Sequence, residues 1–329
     1  MYGHVSASSL RYLTTDNVGW TKIPAGALTS VVELLELDLR NNHLSLLPDL
    51  TSNTALTNLV ATKNRITLLP DLTKNTRLTD MHVENNRITL LPDLSKNTAL
   101  GYLYVRNNHI TLPFVLTKNT ALVRLDLSDN PLSGNPSLQM NSALEALWMN
   151  FNNLTQLPDL ATNTALDTLG FSGNSLSSSS WPQSLERLVM LKYIFMNSNR
   201  LATIPAFVDR LPHLIYLDVS DNAITSLDEL MVTGDSNAQS GRNNETFLLL
   251  GGNPVCVNGT SGGSLDAKWN VSCQSLCSSG CMSVGTPVNK WGDSRGDGTC
   301  HFKCNTTACS YDGGDCLGRS GGHMSSSWR

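Results

Sequence analysis

Apolar and polar residues alternate along most of this chain in short segments that return at a fixed interval. LLELDLRNN, LTNLVATKN and LTDMHVENN follow the pattern L-x-x-L-x-L-x-x-N, and they close at Asn42, Asn64 and Asn86, each 22 residues after the last. The closing asparagine returns further along at Asn108, Asn130, Asn152, Asn174, Asn199, Asn222 and Asn253. About ten copies at a nearly constant period predict a repeat architecture.

Each repeat has a physical interpretation that needs only its residues. The L-x-L alternation predicts a short strand with its leucines inward and the x residues outward. Because one repeat cannot bury its apolar side alone, neighbouring repeats stack and bury it for one another. An asparagine at the turn can donate its side-chain amide to backbone carbonyls of the adjacent repeat. A second asparagine follows eleven residues after the first and predicts a second ladder, at Asn53, Asn75, Asn97, Asn119, Asn141 and Asn163.

The segment that returns the chain from one strand to the next is rich in proline. LPDL at 47–50, 69–72, 91–94 and 157–160 places proline where a long helix would have to run. The convex side is therefore expected to be extended or 3₁₀, except at 175–190, where a longer repeat predicts a short helix.

Residues 10–255 resemble the leucine-rich repeat family, starting with an irregular repeat at 10–17. The resemblance implies an α/β-type repeat solenoid, a horseshoe of mostly short parallel strands with a 3₁₀ or irregular convex side.

The outward strand positions form the concave face, where a ligand is expected. Aromatic residues are enriched there, and exposed aromatic clusters on rigid frameworks are typical of binding surfaces. The alternative is that solenoid surfaces drift and that some aromatics fall there by accident. We expect a protein, peptide or glycan ligand, bound by His82, Tyr102, Tyr104, Arg106, Trp148, Phe151, Tyr193 and Phe195.

All eight cysteines lie in the last quarter of the chain, from Cys256 to Cys316. Their spacing lacks the paired CxxC or HxxxH signature of a zinc site and favours disulfides, hence an extracellular or cell-surface location. N-x-S/T sequons agree with a secretory route, and the glycosylation candidates are Asn153, Asn244, Asn258 and Asn270.

The last six cysteines and the ending CNTTACSYDGGDC resemble the Lin-12/Notch repeat, over residues 277–316. This family has almost no core and is held by three disulfides and one structural calcium ion. The resemblance implies the pairs Cys277–Cys309, Cys281–Cys304 and Cys300–Cys316.

Calcium prefers six to eight oxygen ligands, and the acids of this segment can supply them. The expected ligands are Asp297, Asp312 and Asp315, with Asp293 replacing the family's first acid, whose position holds Ser294. The alternative is a disulfide module with surface acids and no bound ion.

Between the repeats and this module, Asn253-Pro-Val-Cys256 resembles the start of the cap that closes extracellular leucine-rich repeats. Cys273 is the nearest partner for Cys256. The expected organisation is an N-terminal cap (1–33), solenoid (34–255), short C-terminal cap (256–276), Notch-type module (277–316) and flexible tail (317–329).

Charge and motif content exclude several classes of function. The net charge of −4 argues against binding to nucleic acid, which requires a basic surface. The sequence contains no HExxH, GxSxG or P-loop motif that would indicate an enzyme. No apolar run within the chain is long enough to span a membrane, so an anchor would lie outside it. The start lacks a signal peptide and the tail resembles a linker, so we expect both ends to continue in a longer chain.

The favoured function is the ectodomain of a cell-surface receptor, and the alternative is a fully secreted adhesion, matrix or inhibitor protein.

Overall fold

The computed structural model describes residues 9–111, 114–181, 183–227, 246–257 and 269–273. Within them one parallel sheet of twelve strands runs in strict chain order. The strands are β1 (Tyr12–Thr14), β2 (Glu36–Asp38), β3 (Asn58–Val60), β4 (Asp80–His82), β5 (Tyr102–Tyr104), β6 (Arg124–Asp126), β7 (Ala146–Trp148), β8 (Thr168–Gly170), β9 (Tyr193–Phe195), β10 (Tyr216–Asp218), β11 (Thr246–Leu249) and β12 (Trp269–Ser272). The expected solenoid of short parallel strands is confirmed.

The register of the strands follows from the leucine pattern. The middle residue of each strand pairs with the middle residue of the next, so that Leu59, Met81 and Leu103 form one column. All three are fully buried. A slip of one residue would turn every such side chain to the other face, and the burial of the column therefore fixes the register.

The convex side contains little helix, as the prolines predict. Most repeats return through turns, and 3₁₀ helices occur at Ser178–Ser180, Gln183–Arg187 and Ala206–Arg210. The first two lie in the longer repeat for which the sequence predicts a short helix. In the described part of the chain, α1 (Pro254–Val257) is a single α-helical turn.

The turn asparagines form the first predicted ladder. The side-chain amide of Asn108 donates to the carbonyls of Val83 and Val105 at 3.0 and 2.9 Å. Its Oδ1 accepts the backbone N–H of Ile88 at 2.9 Å. The residue before each ladder asparagine has a positive φ, which explains the frequent Asn and Gly at that position. These residues are Asn41, Lys63, Asn85, Asn107, Asp129, Phe151, Gly173, Ser198, Asp221 and Gly252.

The second ladder is also confirmed, inside the convex side. Asn97 is fully buried, and its amide donates to the carbonyls of Leu72 and Asn75 at 3.0 and 2.9 Å. Its backbone carbonyl accepts the amide of Asn119 at 2.9 Å, which repeats the pattern one turn further. The ladder thereby satisfies carbonyls that water cannot reach.

Both ends of the described sheet extend beyond the expected solenoid bounds. β1 pairs with β2 in regular register, so the irregular first repeat contributes a true strand. At the other end β12 pairs with β11, and a disulfide joins Cys256 to Cys273 with a Cα–Cα distance of 5.5 Å. The buried Trp269 donates its indole N–H to Asp209 at 3.0 Å. The end of the solenoid is thus closed by one strand, one disulfide and one tryptophan.

Candidate functional site

The concave face presents a central row of side chains, one from each strand. His82, Tyr104, Asp126 and Trp148 follow one another across β4 to β7. Each strand adds roughly 4.8 Å, so these four residues span roughly 14 Å. All four are partly exposed, and the predicted aromatic residues are therefore concentrated here.

His82 and Tyr104 form a stacked pair. Their ring centroids lie 4.7 Å apart with an interplanar angle of 24°. Glu84 approaches the imidazole, with Oε1 3.6 Å from Nδ1 of His82. Its other oxygen, Oε2, is buried and has no hydrogen-bond partner among the described residues. The pair therefore presents an aromatic surface beside an incompletely satisfied carboxylate.

Arg124 contributes a cation that the sequence analysis did not select. Its guanidinium lies 5.5 Å from the ring centroid of Tyr102 and against the hydroxyl of Tyr104. Burial raises the pKa of Tyr104 to about 12, although the neighbouring guanidinium opposes this shift. Arg124 could have been found from its sequence position, since it follows Tyr102 in the same outward row.

Arg106, which the sequence did select, forms an ion pair with Asp129. Its Nε lies 2.7 Å from Oδ2 of Asp129, and both side chains are partly exposed. Burial raises the pKa of Asp129, and the charge of Arg106 opposes the shift. Part of the charge of Arg106 is therefore already matched within the protein.

Trp148 and Phe151 each lie over a glycine of the next repeat. A Cβ added at Gly170 would lie 2.8 Å from Cδ1 of Trp148, and one added at Gly173 would overlap the ring of Phe151. Phe151 has a φ of 52°, a backbone conformation that is costly for a bulky residue. The same conformation occurs before every other ladder asparagine, so it belongs to the turn of the repeat.

The predicted residues on β9 are placed differently. Tyr193 is partly exposed, but Phe195 is only 6% exposed, so the expectation that it lies on an open surface is wrong. The ring of Tyr216 lies 5.3 Å from it, and both occupy neighbouring strands. Gly170, on the strand between Trp148 and Phe195, is buried as well. In the central row of the described strands, the partly exposed aromatic residues are therefore those of β4, β5 and β7.

Two acids of the central row differ in their access to solvent. Burial raises the pKa of both Asp126 and Asp218 to about 6, opposed at Asp126 by the charge of Arg106 and hydrogen bonds from Ser128, and at Asp218 by hydrogen bonds from Ser220. Asp218 is 1% exposed, whereas Asp126 is partly exposed. A ligand on the concave face can therefore contact Asp126 but not Asp218.

The remaining predicted sites fall largely outside the described residues. This applies to Asp293, Asp297, Asp312 and Asp315, to the six cysteines from Cys277 to Cys316, and to Asn244 and Asn258. Asn153 is exposed at the edge of the solenoid, and the backbone of Asn270 lies in β12. In the described ranges, no three His, Cys, Asp or Glu residues are grouped to hold a metal ion, and no helix there is long and apolar enough to cross a membrane.

Solved structures with the same architecture come from several kinds of organism. The functional domain of InlJ from Listeria monocytogenes, which includes a cysteine ladder, is 27% identical over 75% of this chain and 50% of that one, with a TM-score of 0.63. A leucine-rich repeat protein of Leptospira interrogans is 26% identical over 74% and 61%, with a TM-score of 0.66. The plant peptide hormone receptor RGFR1 in complex with RGF2 is 22% identical over 74% and 40%, with a TM-score of 0.58, and shows the fold alone. The chain thus spans about half to three fifths of the two bacterial proteins.

One family model matches the chain. It is Notch, the LNR domain, and it covers residues 291–317. That segment holds all four expected calcium ligands and the last four cysteines, whereas Cys277 and Cys281 precede it. No curated protein matches the chain.

Proposed function

This chain is a leucine-rich repeat solenoid followed by a Notch-type LNR segment, and we propose that it is a non-enzymatic extracellular recognition module. Its ligand is a protein segment or peptide bound on the concave face. The observation that carries the proposal is the partly exposed aromatic group His82, Tyr104 and Trp148 on consecutive or nearly consecutive strands of a rigid sheet.

Rigid aromatic side chains supply a large contact area at a low entropic cost, which is why they dominate the energetics of many interfaces. The stack of His82 on Tyr104 and the contact of Arg124 with Tyr102 hold these rings in place before a ligand arrives. Preorganisation of this kind reduces the entropy lost on binding. Leucine-rich repeat and LNR domains are typically non-catalytic, which agrees with a binding role.

The setting that we favour is the ectodomain of a cell-surface receptor. The disulfide between Cys256 and Cys273 and the LNR match both support an oxidising, extracellular environment. A plant peptide hormone receptor shares the fold. A secreted adhesion, matrix or inhibitor protein would use the same face.

The aromatic group can be tested by selecting random linear peptides displayed on phage against the immobilised chain. Peptides enriched on the wild type are expected to lose roughly tenfold or more in affinity on the Tyr104→Ala/Trp148→Ala variant, as for central aromatic residues of an interface. The matched control is Lys74→Ala/Lys96→Ala, which alters two exposed residues of the convex side. Peptides that bind all three proteins equally, or that respond only to the convex variant, would refute the proposal.

We also propose that the LNR segment binds one structural calcium ion. LNR domains typically bind calcium, and Asp293, Asp297, Asp312 and Asp315 offer the carboxylate oxygens that this ion prefers. The ion would hold together a segment whose apolar content is too small for a core of its own. Trp291 lies two residues before Asp293 in sequence and provides a reporter.

Removing calcium with EDTA is expected to lower the melting temperature of the segment's transition and to change tryptophan fluorescence. Ligand linkage gives a stabilisation of about 2.7 kcal/mol at one hundred times the Kd. Asp312→Asn is expected to abolish the response, whereas Asp71→Asn, an exposed acid of the solenoid, should retain it. If calcium leaves both the melting temperature and the fluorescence of the wild type unchanged, the metal proposal is wrong.

A further inference from the structure

We propose that Asp126 forms the floor of a subsite that binds a basic side chain, lysine or arginine, of the peptide ligand, with Tyr104 and Trp148 as its walls. This inference rests on the proposed function and specifies the chemistry of the ligand. It follows from the placement of the three side chains on β5, β6 and β7, where Asp126 is directly between the two aromatic residues in the strand register.

Each of the two aromatic rings has a contact with the strand on the far side from Asp126, and the hydroxyl of Tyr104 also contacts Arg124, which is on the same strand as Asp126. Tyr104 stacks on His82, which belongs to β4, and Trp148 lies against Gly170, which belongs to β8. Two strand spacings, roughly 10 Å, separate the backbones that carry Tyr104 and Trp148. This width accommodates an extended lysine or arginine side chain between two rings, with Asp126 beneath it.

Among the described residues no cation lies within ion-pair distance of Asp126, although the charge of Arg106 acts on it from the neighbouring repeat. Its Oδ1 accepts the backbone N–H of Ser128 at 2.9 Å. Arg106, which follows the adjacent strand β5, forms its ion pair with Asp129 at 2.7 Å. No Lys, Arg or His of the described residues forms a salt bridge with Asp126 within 4.0 Å. A cation supplied by a ligand would therefore find an acceptor that is held in position.

The charges around Asp126 also favour a cation. The carboxylates of Glu84, Asp126 and Asp129 are opposed by the guanidiniums of Arg106 and Arg124, which leaves one net negative charge with His82 neutral. On β7 the side chains in the two outward rows, Ala146 and Trp148, are uncharged. A guanidinium or ammonium group beside Tyr104 or Trp148 would gain cation–π attraction as well as its attraction to the carboxylate.

Burial disfavours the ionised form of Asp126 in the free protein, as it does at Asp218. Burial raises the pKa of Asp126 to about 6, above the ordinary value of an aspartate, and the charge of Arg106 opposes the shift. The folded state therefore holds this proton more tightly than the unfolded state, so the contribution of Asp126 to the free energy of unfolding rises as pH falls from about 6 to about 4. Asp126→Asn should leave stability at neutral pH unchanged or increased.

The chain contains a matched control in Asp218. It occupies the same row, accepts the backbone N–H and the hydroxyl of Ser220, and has the same direction of pKa shift from burial. It differs in being 1% exposed, so that no ligand can contact it. Asp218→Asn removes the same charge by the same substitution at a position outside the subsite.

The experiment is the selection of random linear peptides on the wild type, followed by affinity measurements of the enriched peptides. Enriched peptides should share a lysine or arginine, and their affinity should fall roughly tenfold on Asp126→Asn and change by less than about twofold on Asp218→Asn. Selection on Asp126→Lys should favour glutamate or aspartate at the shared position. Since protonation of Asp126 removes its charge, affinity should also fall between pH about 7.5 and about 5, and this loss should persist in His82→Gln.

The outcomes separate the two proposals. Peptides that require Tyr104 and Trp148 but lack a shared basic residue, or that bind Asp126→Asn as tightly as the wild type, would overturn the subsite and leave the concave binding face intact. If no enriched peptide depends on Tyr104 and Trp148, the proposed binding face is refuted, and the subsite with it.

Discussion

Asn108→Ala is expected to lower the free energy of unfolding by about 3–5 kcal/mol, because it orphans several buried polar groups at once. The side chain of Asn108 donates to the carbonyls of Val83 and Val105 and accepts the N–H of Ile88. Each buried group left without a partner costs about 1–3 kcal/mol. Asn108 itself is 3% exposed, so water has little access to replace it. Urea denaturation followed by circular dichroism gives the measurement.

The control for this ladder variant is Thr89→Ala, an exposed residue of the preceding repeat. A surface substitution of this kind should change stability by no more than about 0.5 kcal/mol. The stability of a repeat protein depends on contacts between neighbouring repeats, so a local substitution can make unfolding less cooperative. The whole transition curve should therefore be compared and not the midpoint alone. Equal stability of Asn108→Ala and Thr89→Ala would show that the turn ladder contributes little.

The second large effect is expected at the C-terminal end of the solenoid. Replacing both Cys256 and Cys273 by serine opens a disulfide with a sequence separation of 17 residues. The chain-entropy model gives about 3 kcal/mol for a loop of this length. The loss should appear as a lower melting temperature in near-ultraviolet circular dichroism, which reports on Trp269, a buried residue that bonds to Asp209.

The contribution of the disulfide can be separated from that of the tryptophan. Asp209→Asn keeps the disulfide but weakens the acceptor of the Trp269 indole, and it should destabilise by less, about 1 kcal/mol. A double serine variant as stable as the oxidised wild type would mean that β12 closes the solenoid without its disulfide.

Much of the fold could be predicted because each feature depends on a local pattern repeated many times. The L-x-L alternation specified the strands, and the prolines of LPDL excluded long convex helices. Two asparagines per repeat specified two ladders, both of which are present. In a solenoid each repeat contacts its neighbours, so local sequence determines most of the packing.

The site was less predictable, because exposure on a concave face depends on what lies on the adjacent strands. Phe195 and His82 occupy the same row, yet Phe195 is buried against Tyr216 while His82 stays partly exposed beside Tyr104. Arg124 was overlooked because its role depends on its contacts with the rings of Tyr102 and Tyr104 on the preceding strand, β5. Periodicity places a side chain in a row, but it does not determine the orientation of the neighbouring side chains, which sets the exposure of each residue.

The sequence by itself determined the architecture, the register of the strands and the positions of the ladder asparagines, because one periodic pattern specifies them all. It also placed the Notch-type segment, through its cysteine and aspartate spacing. Only the tertiary structure decided which outward residues are accessible, how Arg106 pairs with Asp129, and that Asp126 is partly open while Asp218 is closed. These properties arise between strands 22 residues or more apart in sequence, where side-chain size and orientation, and not the repeat, set the contacts.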